Sequence, residues 1–348
     1  MSYRIAITGL GACARQIHLP AYKRLPGLQV VGGCDPITRP ENFSFPVFSS
    51  VPEMLEKTKP DILTVATPPA SHFELASSAL NAGCHVFCEK PFVSSLEEAD
   101  AIIALARRVD RQVVVNNQYR FMRTQRAAKL KIGSPEFGDL LFLSMQQTFF
   151  VTQETEAGWR GQDPQRTAKE FGTHALDLCR YFFDENPSVI SARMPRAGSP
   201  NGPDYLDLIQ LEFSRDRVAQ VTLDRLSRGR HRYLDVRLDG EVASIETSLG
   251  GRLEGRAGIR PATRRPFLSL DIAMGGRARL CHGESFTILA KEPLNVFAAA
   301  TAELLRAFLA ALDRGETPPC NAADNRHTLA LMLAAYESDA KRIPIAVG

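Results

Sequence analysis

Residues 4–14 read RIAITGLGACA, and this stretch decides the fold. The short run with Ile5 and Ile7 reads as a buried strand. It is followed at once by Gly9-Leu10-Gly11-Ala12-Cys13-Ala14, the pattern G-x-G-x-x-A. Glycine at 9 permits a tight turn, glycine at 11 lets the backbone approach a pyrophosphate, and a small residue at 14 lets helix and strand pack closely. The turn through Ala12 and Cys13 opens a helix whose free N–H groups suit phosphate oxygens. The next strand, LQVVGGCDP at 28–36, ends in Asp35, 24 residues after Gly11. An acid there accepts hydrogen bonds from ribose hydroxyls and repels a 2′-phosphate. The expected cofactor is NAD, with NADP as the alternative if Arg39 meets a phosphate.

Outward from this motif, strands and helices alternate. A helical stretch runs to about Leu25, with a kink or break expected at Pro20. Residues 36–48 hold three prolines and no helical period, so an irregular crossover replaces a helix there. Ser50 opens a short helix. DILTVATPP (61–69), HVFC (85–88) and QVVVNN (112–117) read as strands. A helix at 71–82 ends at Gly83, and Ser95 with Glu98 forms a capping box. The pattern predicts an α/β N-terminal domain with a parallel sheet and helices on both faces, over residues 1–120. Residues 121–348 read as an α+β domain with a large, mostly antiparallel open sheet. LDLIQLEF and VAQVTLDRL form a hairpin through SRDR, and Asp239-Gly240 signals another. One helix is expected near 168–183 and two long ones near 294–314 and 322–340. The Gly/Arg-rich run 250–266 reads as a mobile surface loop, and Arg225 to Arg232 as a solvated strand end.

The chain has 348 residues and a net charge of +3. Its basic residues are scattered, which argues against nucleic acid as a partner. No run approaches the ~18–20 apolar residues of a membrane span. Seven cysteines without close spacing point to reduced thiols and a cytoplasmic protein. Cys84, His85 and Cys88 lie on a strand that would point them to opposite faces, so no metal site is expected.

The acid/base candidates lie in HVFCEKPF (85–92), where Glu89, Lys90 and Pro91 follow a short apolar strand, and in EFGTHALD (170–177). Glu170, His174 and Asp177 are spaced to share one helix face.

GLGACARQIHLPAY, VATPPASHFELASSALNAGCHVFCEKPF, NNQYRF, GWRGQDP and EFGTHALDLCRYFF together resemble the Gfo/Idh/MocA family, named for glucose–fructose oxidoreductase, inositol dehydrogenase and a rhizopine-catabolism protein. The resemblance covers nearly the whole chain. It implies a Rossmann domain, a second domain built on an open sheet, and NAD(P)-dependent oxidation or reduction of a sugar-, cyclitol- or polyol-type substrate. It also implies a homodimer or homotetramer assembled through that sheet. By resemblance Lys90 reaches the oxygen on the reacting carbon, and Glu89 lies beside the nicotinamide site. His174 is the proton relay, suited by an ordinary pKa near ~6.5. Glu170 stands where the family has aspartate and would orient His174 or bind a hydroxyl. The glycine cluster that often precedes this helix is replaced by Arg166-Thr167-Ala168-Lys169, so Arg166 or Lys169 could face the pocket. Thr67, Pro68 and His72 match the turn bordering the cofactor. Tyr119, Arg120, Trp159, Arg160 and Asp177 match positions at the substrate cleft. The rival readings are a non-catalytic sensor on the same scaffold and glycoside cleavage through transient oxidation.

Overall fold

The computed structural model describes residues 2–36, 43–151, 161, 163–196, 202–229, 232–250, 252–259, 264, 266–273 and 275–347. Arg39, Trp159 and Arg160 lie outside these. Six strands, β1 (Tyr3–Thr8), β2 (Leu28–Cys34), β3 (Val47–Phe48), β4 (Ile62–Val65), β5 (His85–Cys88) and β6 (Val113–Val115), form a parallel sheet in the order β3-β2-β1-β4-β5-β6. Ile5, Ile7, Ile62, Leu63, Val86, Phe87, Val113 and Val114 are buried, as continuous apolar strands require when helices cover both faces. The order reverses between β1 and β4, and the C-terminal ends of these two strands open the crevice where such folds take ligands.

The helix after β1 does not break at Pro20. A π-turn over Ala14–His18 leads directly into α1 (Leu19–Tyr22). The wider turn loosens the hydrogen-bond ladder just where Pro20 has no N–H to offer. α2 (Val51–Thr58), α3 (His72–Asn81) and α4 (Leu96–Arg108) follow. Ser95 Oγ accepts from Glu98 N at 3.2 Å. The Glu98 carboxylate reaches Ser94 N at 2.9 Å, so the reciprocal bond of the capping box falls one residue early.

After α5 (Arg123–Lys131), the second sheet collects β7 (Leu140–Thr148), β8 (Val189–Arg193), β9 (Leu206–Phe213), β10 (Arg217–Asp224), β11 (Arg232–Gly240) and β12 (Ser244–Leu249). The strands β15 (Gly276–His282), β16 (Ser285–Glu292) and β17 (Ile345–Ala346) complete it. The nine strands run in the order β16-β15-β12-β11-β7-β10-β9-β8-β17, antiparallel except for the β7/β10 pair. α6 (Thr173–Phe183) follows a π-turn at Ala168–Gly172, and α7 (Val296–Arg314) and α8 (Ala322–Lys341) close the chain. Ala302, Leu304, Leu305 and Phe308 of α7 share a buried cluster with Ile5, Ile7 and Phe87 of the first sheet, which locks the two halves together.

Two local readings are corrected and one holds. Run 250–266 contributes a strand: β13 (Arg252–Ile259) pairs antiparallel with β14 (Pro266–Ala273), and the alternating PFLSLDIA supplies the partner that the first run by itself does not reveal. The hairpin at Asp239-Gly240 forms: β11 and β12 pair antiparallel, Gly240 ends β11 opposite Leu140, and its N–H donates to the Ala243 carbonyl across the turn at 2.9 Å. Its glycine is needed because a β-carbon would stand 2.4 Å from the Phe137 carbonyl oxygen. Arg225 is not a solvated strand end. It is 2% exposed, its guanidinium 3.9 Å from the Phe171 ring centroid and 4.8 Å from that of Phe149, because a planar guanidinium stacks on aromatic faces.

Candidate active site

The glycine turn sits at the C-terminal end of β1. Gly9 has φ +84°, and a β-carbon there would meet the Ala66 carbonyl oxygen at 2.5 Å. Ala14 is fully buried where the helix meets the sheet. Gly11 differs: a β-carbon there would meet nothing within 4 Å, and Gly11 and Ala12 are exposed. The turn is therefore rigid beneath and open above, which fits a pyrophosphate lying against its backbone. Asp35 Oδ2 accepts from Leu10 N at 2.8 Å, holding the acid beside the turn.

β5 ends directly in Glu89, Lys90 and Pro91, and the Lys90–Pro91 peptide is cis. Glu89 is a buried hub. Its carboxylate accepts from Asn116 Nδ2 at 2.7 Å, lies 2.8 Å from His18 Nε2, and receives the Cys13 thiol at 3.5 Å. Burial opposes its ionisation, but the His18 hydrogen bond, the charges of His18 and Lys90, and Asn116 outweigh it. The carboxyl is held well below the usual range. Cys13, His18 and Glu89 have ligand atoms within 4.8 Å of one another, a grouping that no spacing in the sequence suggests. Neither His18 nor Asn116 was singled out from sequence. A histidine in an apolar helix and an asparagine after a strand carry no signal of the carboxylate between them.

Lys90 Nζ donates to the backbone carbonyl of Glu170 at 2.5 Å and lies 5.7 Å from the Phe171 ring centroid. This bond brings the first domain's lysine to the π-turn that precedes α6. The Glu170 carboxylate pairs with Arg166 rather than with His174. Lys169 pairs with Asp163 at 3.1 Å. The expectation that Glu170 orients His174 is corrected, and His174 Nδ1 has no hydrogen-bond partner among the described residues. The π-turn changes the spacing on which the shared-face argument rested.

His174 is 4% exposed, and its ring stacks on Tyr119 with centroids 4.0 Å apart and planes at 4°. Burial, then the Lys90 charge, pushes its pKa well below the ordinary value. The imidazole is thus neutral at physiological pH, so the ordinary value near ~6.5 is not what equips it. The Tyr119 hydroxyl donates to Tyr233 at 3.2 Å.

Two expected cleft residues pair with one another. Arg120 holds both oxygens of Asp177, at 2.7 and 2.5 Å, and reaches Asp324 at 3.0 Å. Asp177 is fully buried, and Thr328 Oγ1 also bonds it. A carboxylate so buried must be saturated by partners, so the pair ties β6's end to α6 and α8. His72 is also fully buried, with Nδ1 2.9 Å from the Pro91 carbonyl oxygen and Nε2 3.0 Å from that of Thr67. It braces the turn rather than bordering a cofactor face. Thr67 Oγ1 pairs with Ser71 Oγ at 2.7 Å, and Ser71 Oγ donates to the Pro68 carbonyl at 2.9 Å. A cavity of about 350 Å³ lies on the second sheet among Ser144, Asp235, Arg237, Glu246 and Arg279, and contains none of the expected site residues.

Residues 3–117 match the oxidoreductase family with an NAD-binding Rossmann fold, and residues 125–246 match the GFO/IDH/MocA C-terminal domain. The chain belongs to the Gfo/Idh/MocA family. Among its relatives, the D-apiose dehydrogenase of Paraburkholderia graminis is 25% identical over 352 residues, spanning 97% of this chain and 87% of that protein. The levoglucosan dehydrogenase of Pseudarthrobacter phenanthrenivorans is 27% identical over 217 residues, 53% of this chain and 55% of that one. An oxidoreductase from Agrobacterium radiobacter, solved with NAD⁺, L-tartaric acid and magnesium, superposes with a TM-score of 0.84 at 20% identity, covering 100% and 99% of the two chains. The myo-inositol 2-dehydrogenase of Lactobacillus plantarum gives 0.81 at 16% identity with 100% coverage of both. These superpositions establish the two-domain Gfo/Idh/MocA fold. This Gfo/Idh/MocA protein is an oxidoreductase, and its first domain is the family's NAD-binding Rossmann fold. No described helix is long and apolar enough to cross a membrane.

Proposed function

We propose that this oxidoreductase acts on a secondary alcohol or ketone of a sugar-, cyclitol- or related polyol substrate, with NAD as cofactor, between the glycine turn and the π-turn at 168–172. Bound NAD would supply the hydride acceptor for the carbinol carbon in oxidation, and NADH the hydride donor in reduction. Lys90 carries the reading. Its Nζ is the cation at the end of β5, and it bridges from the Rossmann domain to the helix of His174. An ammonium there polarises a carbonyl in reduction and stabilises the alkoxide in oxidation. Neutral His174, held flat by Tyr119, can accept the hydroxyl proton in oxidation, and its protonated form can return that proton in reduction. Gly9, Gly11, Ala12, Cys13 and Ala14 cradle the pyrophosphate, and Asp35 takes the ribose hydroxyls. Thr67 and Pro68 shape the neighbouring turn.

The relatives' names motivate the panel: D-apiose, D-glucosides, levoglucosan and myo-inositol. The expected outcome is NAD reduction with at least one member, and Asp35→Ser should raise the relative use of NADP. A wild type that prefers NADP would refute the role of Asp35. Binding of NAD without turnover of any polyol, sugar or sugar acid would favour a sensor instead.

A further inference from the structure

The first N–H groups of any helix have no acceptor within it. In the helix leading through the π-turn into α6 these are the N–H groups of Arg166, Thr167, Ala168 and Lys169. The Glu170 N–H already bonds the Arg166 carbonyl, and Thr167 supplies no side-chain acceptor, its hydroxyl donating to the Asp204 carbonyl. The acceptors come from two distant segments. Asp204 Oδ1 accepts from Arg166 N at 2.5 Å and Thr167 N at 2.8 Å, and Oδ2 from Ala168 N at 3.5 Å. Tyr336, on α8, accepts from Lys169 N at 3.3 Å and donates to Asp204 Oδ2 at 2.8 Å. All four amides are thereby satisfied. Asp204 is fully buried and Tyr336 is 9% exposed, so water cannot readily replace either. A carboxylate at this end also suits the helix dipole.

The next residue is Glu170, whose carbonyl oxygen receives Lys90, and four further on is His174. We infer that Asp204 and Tyr336 are positioning residues for the reaction: a cap supplied from outside the helix that fixes where the Glu170 carbonyl and His174 stand relative to Lys90. The inference rests on the role proposed for Lys90 and His174. Neither residue touches the reacting atoms.

The test uses Tyr336→Phe, Asp204→Asn and Asp204→Ala in the full chain, with the panel member that the wild type oxidises and NAD as probes. A displacement of order 1 Å at a reacting group costs ~10²-fold in rate. Expected are an NAD affinity unchanged by calorimetry and a KM within about threefold of wild type. The turnover number should fall ~10-fold for Tyr336→Phe and ~10²-fold for Asp204→Ala. Asp204→Asn should lie between, because its amide oxygen keeps one acceptor. Hydrogen exchange of amides 166–169 should quicken in all three. If Asp204→Ala does not fold, the other two variants decide. Folded Tyr336→Phe and Asp204→Asn enzymes with lower Tm but turnover within about twofold of wild type would overturn the inference and leave only a stability role. Lys90→Met is measured alongside. Its collapse beside unaffected cap variants overturns this inference alone, whereas full activity in Lys90→Met overturns the site reading and the inference with it.

Discussion

Lys90 and His174 influence one another through charge. If Lys90 stabilises the developing oxyanion, Lys90→Met keeps the bulk and removes the charge. Single-turnover hydride transfer should then fall by ~10²–10⁴, the range for losing one acid/base or electrostatic group. Lys90→Arg should not rescue it, because a planar fork presents its charge differently and does not release its proton. The same Lys90→Met change should let His174 titrate closer to its ordinary value, since the Lys90 charge is the second cause, after burial, of its depressed pKa. Proton NMR of the imidazole checks this. A single-turnover rate within about threefold of wild type would remove Lys90 from the centre of the site.

At the scale of elements, the two glycines of the first turn should behave oppositely. Gly9→Ala forces a side chain into the φ +84° conformation and against the Ala66 carbonyl, 2.5 Å away. The fold should lose about 1–3 kcal/mol, the cost of a disfavoured backbone conformation, read by urea denaturation. Gly11→Val meets no protein atom near its β-carbon, so the fold should survive while NAD binding disappears in calorimetry. Undiminished affinity in Gly11→Val would sink the assignment of the turn. The strand–turn–helix grammar was legible here because G-x-G-x-x-A, the preceding apolar strand and the acid after β2 constrain one another. The π-turns at Ala14–His18 and Ala168–Gly172 were not. A one-residue widening of a helix leaves its hydrophobic period almost intact.

For the whole molecule, His85 sets a pH dependence. Burial, then Arg111, lowers its pKa from 6.5 to about 4, and Gln112 N donates to its Nδ1 at 3.0 Å. The unfolded chain takes up this proton below about 6.5 while the fold refuses it until about 4, so the contribution is full above that window and lost as pH falls through it. His174 acts in the same direction. Buried Asp207, whose carboxyl is pushed up, acts oppositely, so the readout is differential. Between pH 7 and 5 the Tm of the wild type should fall more than that of His85→Gln, and parallel curves would refute this. We also propose self-association through the outer face of the second sheet, as the family resemblance implies; this face is polar rather than apolar, with exposed Gln146, Gln210, Gln220 and Arg237 around Leu208, which is 42% exposed. Light scattering should give a dimer or tetramer at micromolar concentration, and a monomer would count against it.

By itself the sequence determined the doubly wound first sheet, the mostly antiparallel second sheet, and the segments EKPF and EFGTHALD as the places to look. Those signals are local: strand and helix periods, glycine at a turn, an acid at a strand end. Which side chains meet was decided only by tertiary packing. Asp177 went to Arg120, Glu170 to Arg166, His72 to two carbonyl oxygens, and Glu89 to His18 and Asn116. Each is a polar group carried out of water, and such a group must find partners wherever the fold brings them within reach. The partners of Asp204 stand 38 and 132 residues away in the chain, and no spacing rule in a linear sequence connects positions so distant.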